Sequence, residues 1–480
     1  MNFKFLPFTQ VVFLFSILFL SNEVYAQPGA VDLSFNPGTG IDEGSISGGG
    51  VKSIAIQSDG RIILGGNFET YNKVNRNRIL RISSTGTLDA SFDSEMGASN
   101  DVTSVLLNNS KIIMGGYFTN YNGTGCNRVA SINNDGSVNT SFVNNNGINP
   151  FVSTMAAQLD GKIILGGKFS AYNMGGPASK NLVRVNEDGT QDMSFNVGTG
   201  ANDQLMAMAF QNTGKLIIVG VFTAYNGTSR KYIARVNSDG TLDASFDPQL
   251  GPNNQITAIA IQDDGKIIIG GWFSTYNGSA ANRVARLNLD GSIDNSFNVG
   301  VGPNNPVSAI AIQGDGKVII GGNFTSFAGV TRRGIARLKF DGSLDAAFDP
   351  GYGVNGGNVQ AIAIQGNGRI LIGGLFTSYD QVSRNGIARI LVDGASSVEE
   401  MGEKSNSRVM ISPNPTHDFL TVNFTGAAMQ ARYTIYDLQG KLVMEGSLIN
   451  GSTSLDLASL PMGLYHLQIG EQGSHRFIKN

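Results

Sequence analysis

A short phrase recurs along this chain, and it dictates what the chain can fold into. VSAIAIQGDGKVIIGGNFTSFAG, Val307 to Gly329, is its clearest copy. Aligned on the phenylalanine after the glycine pair, the copies fall at Phe68, Phe118, Phe169, Phe222, Phe273, Phe324 and Phe376. The spacings are 50, 51, 53, 51, 51 and 52 residues. Seven units at a near-constant period mark a repeat architecture, in which each unit buries its apolar surface against its neighbours.

Each copy reads as four short strands. The first is Val307 to Gln313, and an Asp315-Gly316 turn joins it to Lys317–Gly322. A longer loop carries a Tyr-Asn-Gly signal, as at Tyr276-Asn277-Gly278. The third strand is Arg283 to Asn288, and an Asp290-Gly291 turn leads to the fourth, Ser292 to Phe297. Asp-Gly between apolar runs signals a hairpin, because glycine accepts positive φ without a Cβ clash. Four antiparallel strands per copy make a β-propeller blade, and the absence of any 3.6-residue period excludes a helical solenoid. The second strand is apolar on consecutive positions, so both of its faces are buried, as a blade between blades requires. The expected fold is all-β: a seven-bladed propeller of about 51 residues per blade.

Ring closure follows from counting. The seventh copy stops at Gly394 without a fourth strand, while an orphan VDLSFNPG stands at Val31 to Gly38. The N-terminal strand is therefore expected to complete the last blade, which would otherwise leave an open sheet edge. An arginine in strand three (Arg81, Arg184, Arg235, Arg286, Arg337) is matched eight residues on by Asp89, Asp192, Asp243, Asp294 and Asp345. Copy two has Ser131 and Asn139 instead, and Arg389 is left to use Asp32. The joint loss in copy two marks a cross-strand structural pair. The glycine pair ending strand two is expected to permit close backbone approach or a bulge. Copy four departs from it, with Val219-Gly220.

At the N-terminus, Lys4, the apolar run Val11–Leu20 and Val24-Tyr25-Ala26 make a signal peptide over 1–26, with no membrane span in the mature chain. The net charge of −3 gives no pull toward nucleic acid. Cys126 is the one cysteine, so no internal disulfide forms, and stability must come from the core.

The IIxGGxFTxYNG and RxARLNxDGSLDxSFDP runs resemble the delta-60 repeat family of bacterial secreted proteins over Val31 to Gly394. That likeness implies a propeller and brings no catalytic residues. A looser similarity to kelch repeats lacks the kelch tryptophan. After the propeller at 27–394, a polar linker is expected at 395–408. SPNP, FLTVNF, YTIYDLQGKLV and LDLASLPMGLYHLQI then follow in 409–480. Their alternating strands predict a small Ig-like β-sandwich. In that order they resemble the C-terminal sorting domain of the type IX (Por) secretion system of Bacteroidetes. The resemblance implies export and recognition by the type IX translocon through residues 409–480. The protein would end secreted, extracellular or attached to the outer cell surface.

Nothing in the propeller singles out a catalytic constellation. His417, His466 and His475 all lie in the presumed sorting domain, so the propeller has no histidine base or His metal site. No cofactor is implied, and most aspartates sit in Asp-Gly turns. A binding surface is easier to place. The two Asp-Gly turns of a blade share one end of the ring, and the long loops share the other. There the aromatics Tyr71, Tyr121, Tyr172, Tyr225, Tyr276, Phe327 and Tyr379 are expected to pack each loop on its blade. The residue before the phenylalanine varies instead: Asn67, Tyr117, Lys168, Val221, Trp272, Asn323 and Leu375. Variable positions in a constant frame are where a ligand surface is built. Trp272, Tyr117, Lys168, Asn67 and Asn323 are the candidate ligand-binding residues. Arg76, Arg78, Arg128, Lys180, Arg230, Lys231, Arg283, Arg332, Arg333 and Arg384 form a basic rim that would suit an acidic polysaccharide. The leading reading is a non-catalytic module binding a glycan or a surface protein. The alternatives are a hydrolase or lyase acting on polysaccharide and a rigid structural or adhesive spacer.

Overall fold

The computed structural model describes residues 27–42, 50–143, 147–172, 179–392, 408–412, 418–425, 430–437, 441–449, 451–469 and 474–479. The expected signal peptide, the linker up to residue 407 and His417 lie outside them. The chain divides into two compact units, Met1–Val398 and Glu399–Asn480. Every regular element among the described residues is a strand.

The first unit is a ring of seven antiparallel sheets, each ordered first, second, third strand. Blade 1 consists of Gly50–Ile56, Ile62–Asn67 and Ile79–Ile82, and blade 7 of Asn358–Ile364, Ile370–Leu375 and Ile387–Ile390. First strands touch first strands all the way round, and Gly50–Ile56 meets both Val102–Asn108 and Asn358–Ile364. They therefore surround the axis. The second and third strands are buried along almost their whole length, as with Ile267–Gly271 and Val284–Leu287. That is why their sequences are apolar without alternation.

The fourth strand is brief. It is one bridge, such as Leu287↔Ile293, before the chain turns away. Asp294 causes the turn: its Oδ1 accepts from the Ser296 N–H (3.0 Å) and hydroxyl (2.6 Å), an Asx turn that competes with the ladder. Phe297 then enters the core of the next blade, among Val307, Val318, Ile320 and Phe324. Each LDxSF segment thus belongs to two blades.

The N-terminal segment closes the ring in the same way. Val31 bridges Ile390, and the Asp32 N–H donates to the Arg389 carbonyl at 2.8 Å. Phe35 and Ile41 then pack with Val51, Ile62, Phe68 and Leu80 of blade 1. A single peptide completes blade 7 and fills blade 1.

All seven first strands carry a bulge opposite the glycine pair, as between Ile256 and Ala258 against Gly270 and Gly271. The two glycines are needed for different reasons. A Cβ on Gly271 would strike the Gln255 carbonyl of its own bulge, whereas one on Gly270 would lie 2.7 Å from a Val307 methyl of the next blade. A side chain can shift and a bulged backbone cannot. Copy four replaces the first glycine, with Val219, and keeps the second, Gly220.

At the Asp-Gly end the arginines clamp blade to blade. The Arg286 Nε–H donates to Asp294 at 2.8 Å, Nη2 to the Ser296 hydroxyl at 3.0 Å, and Nη1 to the Phe340 carbonyl of the following blade at 2.7 Å. Its guanidinium carbon lies 4.9 Å and 4.8 Å from the Phe297 and Phe340 ring centres. Lys266 completes the Asp294 shell at 2.8 Å. Arg389 closes the seam to Asp32 at 2.7 Å and reaches the Ser84 carbonyl of blade 1. In blade 2 the pair is neutral, with the Asn139 amide donating to the Ser131 hydroxyl at 3.0 Å, and Lys111 turns to Asn133 instead. Burial opposes ionisation of Asp89, Asp192, Asp243 and Asp294. The serine and arginine donors, with a lysine for the last three, overcome it and hold these carboxyls well below the usual carboxylate range.

In the second unit, Arg408–Ser412, Phe419–Thr425 and Gly451–Asp456 form one antiparallel sheet. Leu442–Ile449, Gln430–Tyr436, Gly463–Ile469 and Ser474–Lys479 form another. Leu420, Val422, Ile435, Leu448, Leu467 and Phe477 build a shared core, which makes the unit a small sandwich.

Candidate binding face

The loop end of the ring is held by the residues that the copies share. The seven loop aromatics are buried, and the six tyrosine hydroxyls each donate to a glycine carbonyl. Tyr276 reaches Gly291 at 2.6 Å and Tyr379 reaches Gly29 in the N-terminal segment at 2.6 Å. Burial pushes these phenols above their ordinary range. They pack the loops on their blades, as the sequence suggests. The asparagine of Tyr-Asn-Gly takes positive φ (49° at Asn277), and its Oδ1 accepts the Gly251 N–H at 2.8 Å. This ties the incoming interblade loop down. Copy six has Ala328 there.

The varying position sits where strand two ends beside strand one, close to the axis. The Trp272 N–H donates to the Gln255 carbonyl at 3.0 Å, and its indole is 48% exposed. The Arg283 guanidinium donates to the Trp272 carbonyl, fixing the backbone beneath the ring. Tyr117 is held alike by Arg128, at 2.5 Å. Its ring, 37% exposed, stacks on Phe151 of the next blade with centres 4.4 Å apart at 26°. Lys168 pairs with Asp203 at 3.3 Å and lines a cleft of about 280 Å³ with Asn149, Lys180 and Asn181. Asn67 is half-buried within its strand, and Asn323 is exposed. Blade symmetry sets these five residues one to a blade around the mouth. They form a ring of separate positions rather than one gathered site.

Part of the basic rim is scaffold. Arg332 and Arg384 are buried, and each donates to the carbonyl of the residue before it. Cys126 occupies the corresponding place in copy two. Burial pushes its thiol up to about 12, which keeps it protonated at neutral pH.

A second varying position escapes the sequence reading. Between the glycines of the interblade loop stand Thr39, Thr199, Val301 and Tyr352, with Met96 and Leu250 in less regular copies. Met96, Leu250, Val301 and Tyr352 are all more than half exposed. The recurrent Gly-x-Gly was the available signal. The direction of the side chain was not legible without the fold.

Comparison with known proteins agrees with this architecture. A family model described as a domain of unknown function (DUF5122) β-propeller matches 57–92, 107–142, 158–195, 211–246, 262–297, 313–348 and 365–395. A second, the secretion system C-terminal sorting domain (Por), matches 410–480. Among solved structures, PorZ, a surface component of the type IX secretion system of Porphyromonas gingivalis, is 15% identical. Its TM-score is 0.42, over 89% of this chain and 59% of PorZ. The extracellular domain of the putative one-component system BT4673 from B. thetaiotaomicron is 11% identical, with a TM-score of 0.42, over 92% of this chain and 57% of that one. The chain thus spans less than two thirds of either structure. A gluconolactonase from Xanthomonas campestris, XC5397, is 13% identical with a TM-score of 0.32, over 58% of this chain and 81% of that one. No curated protein matches.

Proposed function

The chain belongs to the DUF5122 β-propeller family and carries a type IX sorting domain that takes it to the cell surface or beyond, and from that premise we propose that the exported ring is a non-catalytic binding module for a glycan or a protein. One observation carries this reading. The residue before each repeated phenylalanine is free to vary, and in copy five it presents a half-exposed indole on a backbone pinned by Arg283. A rigid, exposed aromatic face is the group that stacks on the C–H face of a sugar or anchors a protein hot spot. Tyr117, Lys168, Asn67 and Asn323 supply the neighbouring positions of the same ring. The buried aspartates of the opposite end are committed to arginine and lysine, which suits a scaffold better than acid–base chemistry.

The test is a glycan and protein array probed with the full chain and with Trp272→Ala. Binding by the wild type that the substitution removes supports the reading. An array on which the wild type binds nothing overturns it.

A further inference from the structure

At the loop end copy seven departs from copies four, five and six, and shares with copy one a two-residue strand before its first blade strand. In copies four, five and six the asparagine of the interblade loop is used up by the scaffold: Asn202, Asn253 and Asn304 each accept two backbone N–H groups through Oδ1. In copy seven the loop is one residue longer, through Gly356-Gly357, with Gly356 at φ 80°. The loop gains a two-residue strand, Val354–Asn355, paired with Ser378–Tyr379. The Asn355 backbone carbonyl now accepts the Thr377 N–H at 2.9 Å. The task of the side chain has passed to the main chain, and the amide is released.

The released amide faces a cleft of about 420 Å³ lined by Arg333, Tyr352, Asn355, Ser378 and Gln381. Tyr352 is 60% exposed, and Arg333, Asn355 and Gln381 are exposed. Among the described residues, none of these five side chains makes a hydrogen bond or ion pair. The neighbouring cation, Arg332, already has Asp349 at 3.7 Å, and the adjacent Asp380 carboxylate accepts the Tyr352 N–H at 3.0 Å, so Arg333 is the one charged side chain among the five that line the cleft. No other copy combines these groups. Where copy four supplies Lys231 in place of Arg333, Leu250 stands in place of Tyr352 and Gly278 in place of Gln381.

We propose that this cleft binds an acidic saccharide, one carrying a carboxylate or a sulfate ester. The proposal deepens the reading of the loop end as a binding face and rests on it. A guanidinium matches two oxygens of either anion with parallel N–H donors. The phenol ring offers a flat apolar face to a pyranose. Asn355, Ser378 and Gln381 supply donors and acceptors in the mixture that sugar hydroxyls need.

The experiment is calorimetric titration of the full chain at low ionic strength with three probes: oligogalacturonate, chondroitin sulfate oligosaccharide and a neutral malto-oligosaccharide. The two acidic probes separate carboxylate from sulfate recognition. At least one of them should bind about tenfold more tightly than the neutral probe. Arg333→Ala and Tyr352→Ala should each weaken that binding about tenfold, with the melting temperature unchanged. Tyr352→Phe should retain it, and Lys339→Ala, beside the Asp341-Gly342 turn at the opposite end of the ring, should leave it unaltered. Absence of binding to both acidic probes overturns the proposal, as does equal affinity for the neutral one. An equal loss in Lys339→Ala also overturns it, because the positive surface would then act only as a diffuse charge. If the acidic probes fail while array binding still depends on Trp272, the cleft proposal falls and the wider reading stands.

Discussion

At the Asp-Gly end of the ring, Arg286 is 1% exposed and its guanidinium is bonded to Asp294, Ser296 and the next blade. At the loop end, Arg333 is exposed, and among the described residues its side chain makes no hydrogen bond or ion pair. The same residue type is mortar at one end and a free hand at the other. The difference follows from ring closure. Blade-to-blade contact must be equivalent at every seam, so the residues that make it are repeated and their donors are consumed. A loop beyond the last turn of sheet has no such obligation. Copy two is the informative exception at the clamped end. Ser131 and Asn139 replace arginine and aspartate together, because either charge alone would be buried without its partner.

Breaking the most heavily used seam should have the largest effect. Deleting Val31 to Gly38 removes Phe35, whose burial contributes roughly 1.5–3 kcal/mol. It also strands Arg389, a buried charge that costs about 3–5 kcal/mol when unpaired. Thermal melting should show a fall of roughly ten degrees or more, and an unchanged Tm would refute the latch. Next in size is Arg286→Ala, expected to cost about 3 kcal/mol. Arg333→Ala at the opposite end should stay within about 0.5 kcal/mol. Equal losses in urea denaturation would erase the contrast between the two ends.

The gentlest probe is acid. Asp89, Asp192, Asp243 and Asp294 have depressed folded-state pKa values. Their contribution is therefore complete above the unfolded carboxylate range, near about 4, and is lost as pH falls through the depressed values. Tm should hold from pH 7 to about 5 and decline by a few degrees toward pH 3. The double substitution Arg184→Ser with Asp192→Asn copies the neutral pair of blade 2 and should flatten that decline. A slope that it leaves unaltered would assign the acid sensitivity elsewhere.

Much of the ring could be read before any coordinates. The period gave seven blades, the orphan VDLSF gave the closure, and the eight-residue offset paired Arg389 with Asp32 across 357 positions of chain. Each of these is a statement about repetition, and repetition is a property of sequence. The burial of the loop tyrosines was legible for the same reason, since a residue kept in nearly every copy serves every copy.

Three features needed the fold. The fourth strand contracts to one bridge because Asp294 and its counterparts turn the chain, and strand propensity alone does not report that competition. The two glycines of each pair proved unequal because one opposes a bulged backbone and the other a movable side chain. The Asn355 amide was left unengaged beside Arg333 and Tyr352 because a longer loop passed one hydrogen bond from a side chain to the main chain. By itself, the sequence determined the architecture, the number of blades, the latch and the route of export. Only the tertiary structure decided which polar side chains remain unengaged, because that depends on which donors and acceptors packing has already satisfied.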